Sequence, residues 1–296
     1  MRAKIQKTKK KKKSKTGLLA LLIIMIGWYV AWYPIIADRL DRLYNINTIT
    51  NYQNDLANYS DEELKQMLDN CIEYNKDIAE EQKKQSFRYR GSLATDNTYK
   101  NLPVPGSDNI GTVDIPKLGL NIPIAHGTND SNLQSEIGHL YGTSLPVEGD
   151  SVHSVIAGHS ALASAELFTH IDKLNKGDEF YITVLNKKYK YIVQSKTVCL
   201  PEDDWQYEQV EDGKNLATLY TCTPYGINDH RLLVTGKLAG VEDVQIEKPF
   251  WLQILGRTLL YAVELASLIM APFFALLLSE IHDSKKKKKK KGKAIV

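Results

Sequence analysis

The sequence predicts a mostly β fold: a barrel or sandwich of short strands over 108–249, preceded by a helical segment and flanked by two apolar runs. Three observations predict it. From Asp108 onward, short apolar or alternating runs ("IGTVDIP", "LNIPIAH", "SVHSVIAG", "DEFYITV", "KYKYIVQSKTV", "LATLYTC", "HRLLVTG") are separated by Gly, Pro, Asn and Asp clusters. That is how β-branched and aromatic strands cut by turns read. Ahead of them, apolar residues recur at three- to four-residue spacing, a helical stripe. Near each end lies a stretch of about 20 residues with at most one charge, long enough for a helix to cross a bilayer.

Taken in order, residues 1–16 form a tail with nine Lys/Arg and no acid. The run "GLLALLIIMIGWYVAWYPII" follows, and 17–37 is read as a transmembrane helix. Trp28, Tyr29, Trp32 and Tyr33 sit toward its outer end, as interfacial aromatics do. A cleaved signal peptide over 1–36 is the competing reading, but the apolar run exceeds a signal core and no A-x-A site follows it.

Residues 38–85 read as helical. Ser60 and Glu63 form a capping-box signature before "LKQMLDNCIEYNKDIAEEQ". Leu64, Met67, Cys71, Tyr74 and Ile78 make its apolar stripe, expected to pack on the next domain, with Cys71 as a small buried hydrophobe. Residues 86–107, with their Gly, Pro, Ser and Asn, read as a linker or a loop laid over that domain. No internal repeat is visible.

The β domain, 108–249, precedes a second apolar segment at 250–281, whose core is "TLLYAVELASLIMAPFFALLL". Glu264 and Pro272 within it leave a buried helix as the competing reading. The tail 282–296 carries seven consecutive lysines, Lys285 to Lys291. The net charge of +3 hides this polarity: between Asp38 and Phe250 stand 20 Lys/Arg against 32 Asp/Glu, 12 more acids than bases. Lysine excess marks the cytoplasmic side of short flanks, so both tails are read as cytoplasmic and 38–249 as an exported loop. Beside spans, the basic tails are expected to meet anionic lipid headgroups rather than nucleic acid.

A thiolate is the strongest side-chain nucleophile and needs a basic or cationic neighbour. Cys222 ends the strand "LATLYTC", and His159 follows the strand end in "SVIAGHSALAS". Two strand ends on one rim can bring both side chains together. Arg231 opens the next strand, "HRLLVTG", after the loop "TPYGIND", so it is expected beside Cys222, where a guanidinium can donate to a developing oxyanion. Packing for the cysteine and a surface ion pair for the arginine are the plainer alternatives. His126, His139, His153, His170 and His230 lack metal-ligand spacing and read as structural or solvated, Cys199 as core, and the acids at 202–204 as a solvated loop, with calcium binding as the alternative.

With those residues in view, "TLYTCTPYGINDHRLLVTG" resembles the active-site segment of sortases of the pilin-polymerising class C type. The likeness continues through "GHLYGTSLPVEGDSVHSVIAGHSALASAELFTHIDKLNKGDEFYI" and "GTVDIPKLGLNIPIAHGT", about 130 residues in the family's order. The resemblance implies an eight-stranded β-barrel, Cys222 as nucleophile, and His159 and Arg231 as its catalytic partners. Thr221 and Thr223, on either side of the cysteine, are the candidates for substrate contact. It implies a Leu-Pro-x-Thr-Gly-like sorting signal on a pilin or surface protein as substrate. The acceptor would be a pilin lysine amine or a cell-wall precursor, with no cofactor and, with Cys71 and Cys199 in the core, no disulfide. Attachment of surface proteins to the wall, hydrolysis alone by a cysteine peptidase, and a non-catalytic adhesion module are the alternatives.

The chain departs from the family pattern at one point. Many members of this class carry an Asp-Pro-aromatic lid ahead of the barrel, and no such triplet occurs here. Asp96 and Tyr99 in "TDNTYKN" occupy the corresponding region and are the lid-like candidates. The composition of 88–108 otherwise predicts a mobile loop without a latch.

Overall fold

The structure is a computed structural model and describes residues 15–84 and 96–245, together with Ala262, Ala266 and Met270. It divides into two compact units, 1–36 with 262–296, and 37–261. Helix α1 (Lys15–Leu56) begins in the first unit. There the Trp28 and Trp32 rings stack at 5.5 Å, one helical turn apart. Among the described residues no helix is long and apolar enough to cross a membrane. The side chains at 15–22 and 24, and almost all of 250–281, lie outside those residues.

The second unit is built on eight strands: β1 (Asn109–Ile115), β2 (Leu120–His126), β3 (Ile137–His139), β4 (Val152–Ala157), β5 (Glu179–Val184), β6 (Lys187–Cys199), β7 (Asn215–Thr223) and β8 (His230–Asp243). They close into a barrel in the order β1-β2-β3-β4-β7-β8-β6-β5. Seven of these strands coincide with the apolar runs of the sequence. The eighth, β3, is three residues long, too short to show an alternation. Pairs β2–β3 and β4–β7 are parallel and the rest antiparallel. The interior is filled by aliphatic and aromatic side chains such as Ile124, Ile156, Phe180, Leu219 and Val234, all inaccessible to solvent.

Two helices lean on this barrel. The latter part of α1 buries Tyr52 and Leu56, and Tyr52 Oη donates to the Ile110 carbonyl at 2.9 Å. Helix α2 (Asp61–Lys84) begins with the expected capping box: Ser60 N donates to Glu63 Oε2 at 2.8 Å and Glu63 N to Ser60 Oγ at 3.3 Å. Leu64, Cys71, Tyr74 and Ile78 of its stripe are buried, and Leu68 is more buried than Met67. Burial pushes the Cys71 thiol up to about 12, with the Glu148 charge adding to it. A polar clamp goes with the stripe. Asn75 Nδ2 donates to the Leu145 carbonyl at 2.9 Å and Leu145 N to Asn75 Oδ1 at 2.7 Å.

The mobile-loop reading of 88–108 needs correction over its described part. Residues 96–107 are packed, with Tyr99, Leu102 and Val104 buried. Asp96 caps the short helix α3 (Asn97–Lys100), accepting from Tyr99 N at 2.9 Å. His126 fastens the next stretch, one ring nitrogen against the Leu102 carbonyl and the other 3.1 Å from the Asp108 carbonyl. Residues 85–95 lie outside the described part. A second correction concerns the acids at 202–204. Asp204 is buried and accepts the Tyr220 hydroxyl at 2.7 Å.

Candidate active site

The parallel pairing of β4 with β7 builds the site. Parallel neighbours end at the same rim of a barrel, and here the register pairs Ala157 with Tyr220, an offset of 63 residues. Two residues further along both chains, the same offset brings His159 level with Cys222. The alignment persists past the ladder: Gly158 N donates to the Tyr220 carbonyl at 3.0 Å and Thr221 Oγ1 to the Gly158 carbonyl at 2.7 Å. Glycine at 158 is required by packing, since a Cβ there would lie 2.8 Å from Ile137 Cγ2 and 2.9 Å from Phe168 Cδ2. Ser160 Oγ lies 2.7 Å from the Cys222 carbonyl and 3.1 Å from Asn228 Oδ1, joining the turn after His159 to the β7–β8 loop.

The antiparallel pairing of β7 with β8 supplies the third group, because its register sets Cys222 directly opposite Arg231. On the other side of β8, Arg231 is opposite Cys199 of β6. The Arg231 guanidinium donates to the backbone carbonyls of Asn228 and His230, at 3.2 and 3.1 Å. Among the described residues it has no carboxylate partner, so the surface ion pair that would be its plainer role is absent there.

His159, Cys222 and Arg231 line one cavity of about 280 Å³, together with Thr128, Leu133 and Tyr141. The thiol of Cys222 is half-buried. Among the described residues every other histidine outside the tails has a ring partner. His153 meets Gln209 and Thr218, His139 meets Tyr99 and Ser144, His170 lies by Glu166 and His230 by Asp229. The ring of His159 has none, which leaves it available to a substrate.

The weaker candidates are placed differently. Thr221 lines the cavity, but its hydroxyl is committed to Gly158. Thr223 pairs with His230 across the ladder and is not among the cavity-lining residues. Asp96 and Tyr99 do not line it either. They hold a residue that does: Tyr141 donates its hydroxyl to Asp96 Oδ2 at 2.7 Å, and its ring meets Tyr99 edge-on at 5.2 Å. Tyr99, wholly buried, hydrogen-bonds His139 Nδ1 at 2.8 Å and stacks on its ring. Burial lowers the His139 pKa to about 4, so the ring is neutral. It donates from Nε2 to the Ser144 carbonyl and accepts the Tyr99 hydroxyl. Tyr141 and Ser160 were not singled out in the sequence. The signal available was their position beside "GHL" and "AGH", at the ends of β3 and β4.

Among the described residues, no group of three or more His, Cys, Asp or Glu is arranged to hold a metal ion. A thiol, an imidazole and a guanidinium at one barrel rim form a site suited to thiol-dependent acyl transfer.

Comparison with known proteins agrees with that class. The sortase domain model matches residues 113–239. The solved structure of sortase C1 from Streptococcus agalactiae is 37% identical, with a TM-score of 0.60, over 66% of this chain and 98% of that one. Sortase C of Clostridium perfringens, solved with the C-terminal cell wall sorting motif, is 35% identical, with a TM-score of 0.58, over 66% and 99%. Sortase A of Bacillus anthracis is 32% identical over 134 residues, 45% of this chain and 61% of the relative. The chain thus spans about three fifths of that curated relative. The chain belongs to the sortase family of cysteine transpeptidases.

Proposed function

We propose that this protein is a class C sortase, held at the membrane, that cleaves a Leu-Pro-x-Thr-Gly-like sorting signal and joins the acyl fragment to an amine, a lysine of the next pilin. The observation that carries the reading is the pair of registers on either side of β7. One brings His159 level with Cys222 and the other sets Arg231 opposite it, all three around one cavity. The likeness to class C structures, one of them solved with a sorting motif, supports the substrate class.

In this reading the Cys222 thiolate attacks the threonine carbonyl, and Arg231 donates to the oxyanion as it forms. Collapse of the tetrahedral species breaks the threonine–glycine bond, and His159 gives its proton to the departing amine. The acceptor amine then attacks the thioester, His159 takes the amine's proton, and Cys222 leaves as thiolate. Bonds and protons balance without a cofactor.

The flanks belong to the same reading. Residues 17–37 and 250–281 span the membrane, with both lysine-rich tails inside and the catalytic unit outside. Tags at both ends are expected to resist protease added to intact cells, and an exposed C-terminal tag would count against the second span.

The decisive experiment incubates residues 37–245 with a sorting peptide and an amine, followed by intact mass measurement. A thioacyl adduct on Cys222 and an amide product are expected, both absent in Cys222→Ala. An adduct that persists in Cys222→Ala would overturn the mechanism. Hydrolysed product alone, even at saturating amine, would make the protein a peptidase.

A further inference from the structure

Behind Tyr141, on the side away from Cys222, the surface is hollowed along α2. One recess of about 260 Å³ is lined by Tyr74, Asp77, Glu81, Asp96 and Tyr141. It shares Tyr141 with the Cys222 cavity. A second recess of about 550 Å³ continues it and shares Tyr74, Asp77 and Thr98 with the first. Asn70, Glu73, Asn97 and Asn101 line its far part. Together they form a groove that runs along α2 and ends at the wall of the catalytic cavity.

The groove is acidic and rich in amides. Glu73 is neutralised by Lys76 at 2.9 Å. Asp77 and Glu81 are exposed, one helical turn apart, and face the groove without an ion-pair partner among the described residues. Asp96 lies beneath them, its two oxygens taken by Tyr99 N and the Tyr141 hydroxyl. The second observation is Tyr74. This residue lines both recesses and is 8% exposed, yet its hydroxyl has no hydrogen-bond partner among the described residues. Burial, then the charges of Tyr99, Asp96, Tyr141 and Glu81, push its pKa above the usual phenol range. An unsatisfied buried hydroxyl is costly in the empty state, and Tyr74 stands at the junction of the two recesses that make up the groove.

We propose that this groove is the docking surface for the amine acceptor, and that it binds a lysine- or arginine-bearing stretch of polypeptide flanking the reactive amine. The inference rests on the transpeptidase reading above. Charge complementarity selects the occupant: two carboxylates at the rim, without an ion-pair partner among the described residues, favour a cationic side chain, and the amide side chains beyond them suit an extended backbone. The shared wall selects the acceptor, because a chain seated along α2 reaches the thioester past Tyr141.

The test uses the acyl-enzyme formed on residues 15–296 in detergent. Aminolysis rates are compared for two acceptor peptides with the same reactive lysine, one flanked by arginines and one by glutamines. Hydroxylamine, neutral near pH 7, serves as a third nucleophile. The native protein is expected to favour the arginine-flanked peptide by roughly fivefold in kcat/KM at low salt, as two rim carboxylates allow, with the preference shrinking as salt rises. Asp77→Asn with Glu81→Gln is expected to abolish the preference, leaving both acylation by the sorting peptide and hydroxylaminolysis unchanged. An equal preference in native and variant proteins would overturn the proposal. So would a parallel loss with hydroxylamine, which would mark the effect as structural. Failure of Cys222 to become acylated at all would overturn the transpeptidase reading and this inference with it, and is seen before any acceptor is added.

Discussion

In the proposed mechanism, Arg231 is the residue whose chemistry is hardest to replace. Its planar fork can reach a developing oxyanion while still donating to the Asn228 and His230 carbonyls, whereas a lysine is a point charge on a flexible stem. Arg231→Lys is expected to slow acylation of Cys222 by on the order of 10²-fold or more, measured by stopped-flow mass quench with a sorting peptide. Near-native acylation would make Arg231 a structural residue. Tyr99 calls for a different measurement. Its hydroxyl is the partner of buried His139, so Tyr99→Phe leaves an imidazole nitrogen unpaired and is expected to cost about 1–3 kcal/mol of stability in urea unfolding. Cys222, His159 and Arg231, the three residues of the proposed mechanism, were readable as neighbours because each stands at a strand end marked by a turn. Tyr141 was not readable. Its importance comes from Asp96, 45 positions away, and no local pattern announces that contact.

At the scale of elements, the strands followed from alternation and turn residues. Helix α2 followed from its cap and stripe, and its capping bonds are the reciprocal pair the sequence predicted. The segment 96–107 was misjudged because its polar composition conceals three anchors, Tyr99, Leu102 and Val104. Their spacing matches neither a helix nor a strand. The latter part of α1 carries a pH dependence. Burial, then the Asp38 charge, raises the Asp41 carboxyl to about 7, and burial likewise raises Glu136. A carboxyl raised on folding binds its proton more tightly in the folded state. The stability it contributes is therefore complete below its unfolded value near 4 and is lost as pH rises through about 7. The melting temperature of residues 37–245 is expected to fall between pH 5 and pH 8, and Asp41→Asn to flatten that slope. An unchanged slope in the variant would show that Asp41 titrates normally.

At the scale of the molecule, the site depends on closure of the barrel. Cys222, His159 and Arg231 come from three strand ends that meet only because β7 lies between β4 and β8. That order pairs strands distant in sequence, so the site requires the whole of 109–243 to be folded. Closure also explains what the sequence left open between a barrel and a sandwich. Short alternating strands suit both, and only the pairing of β1 with β5 decides. The two ends of the chain are marked in the sequence only by charge and apolar length, and the membrane placement proposed from them is decided by the protease-accessibility measurement.

The position of β8 has a consequence for redox chemistry. Cys222 and Cys199 are both opposite Arg231, one from each side, so the two thiols stand two strand spacings apart, about 10 Å. A disulfide needs Cα atoms within about 7 Å. The strand carrying Arg231 is thus a spacer that keeps Cys222 from being captured by Cys199, while Cys71 is buried on the inner face of α2. Exposure to diamide or mild peroxide is expected to give no internal crosslink, only sulfenate or mixed disulfide on Cys222 that a small thiol reverses. A 199–222 disulfide in a peptide map would show that the barrel opens along β8.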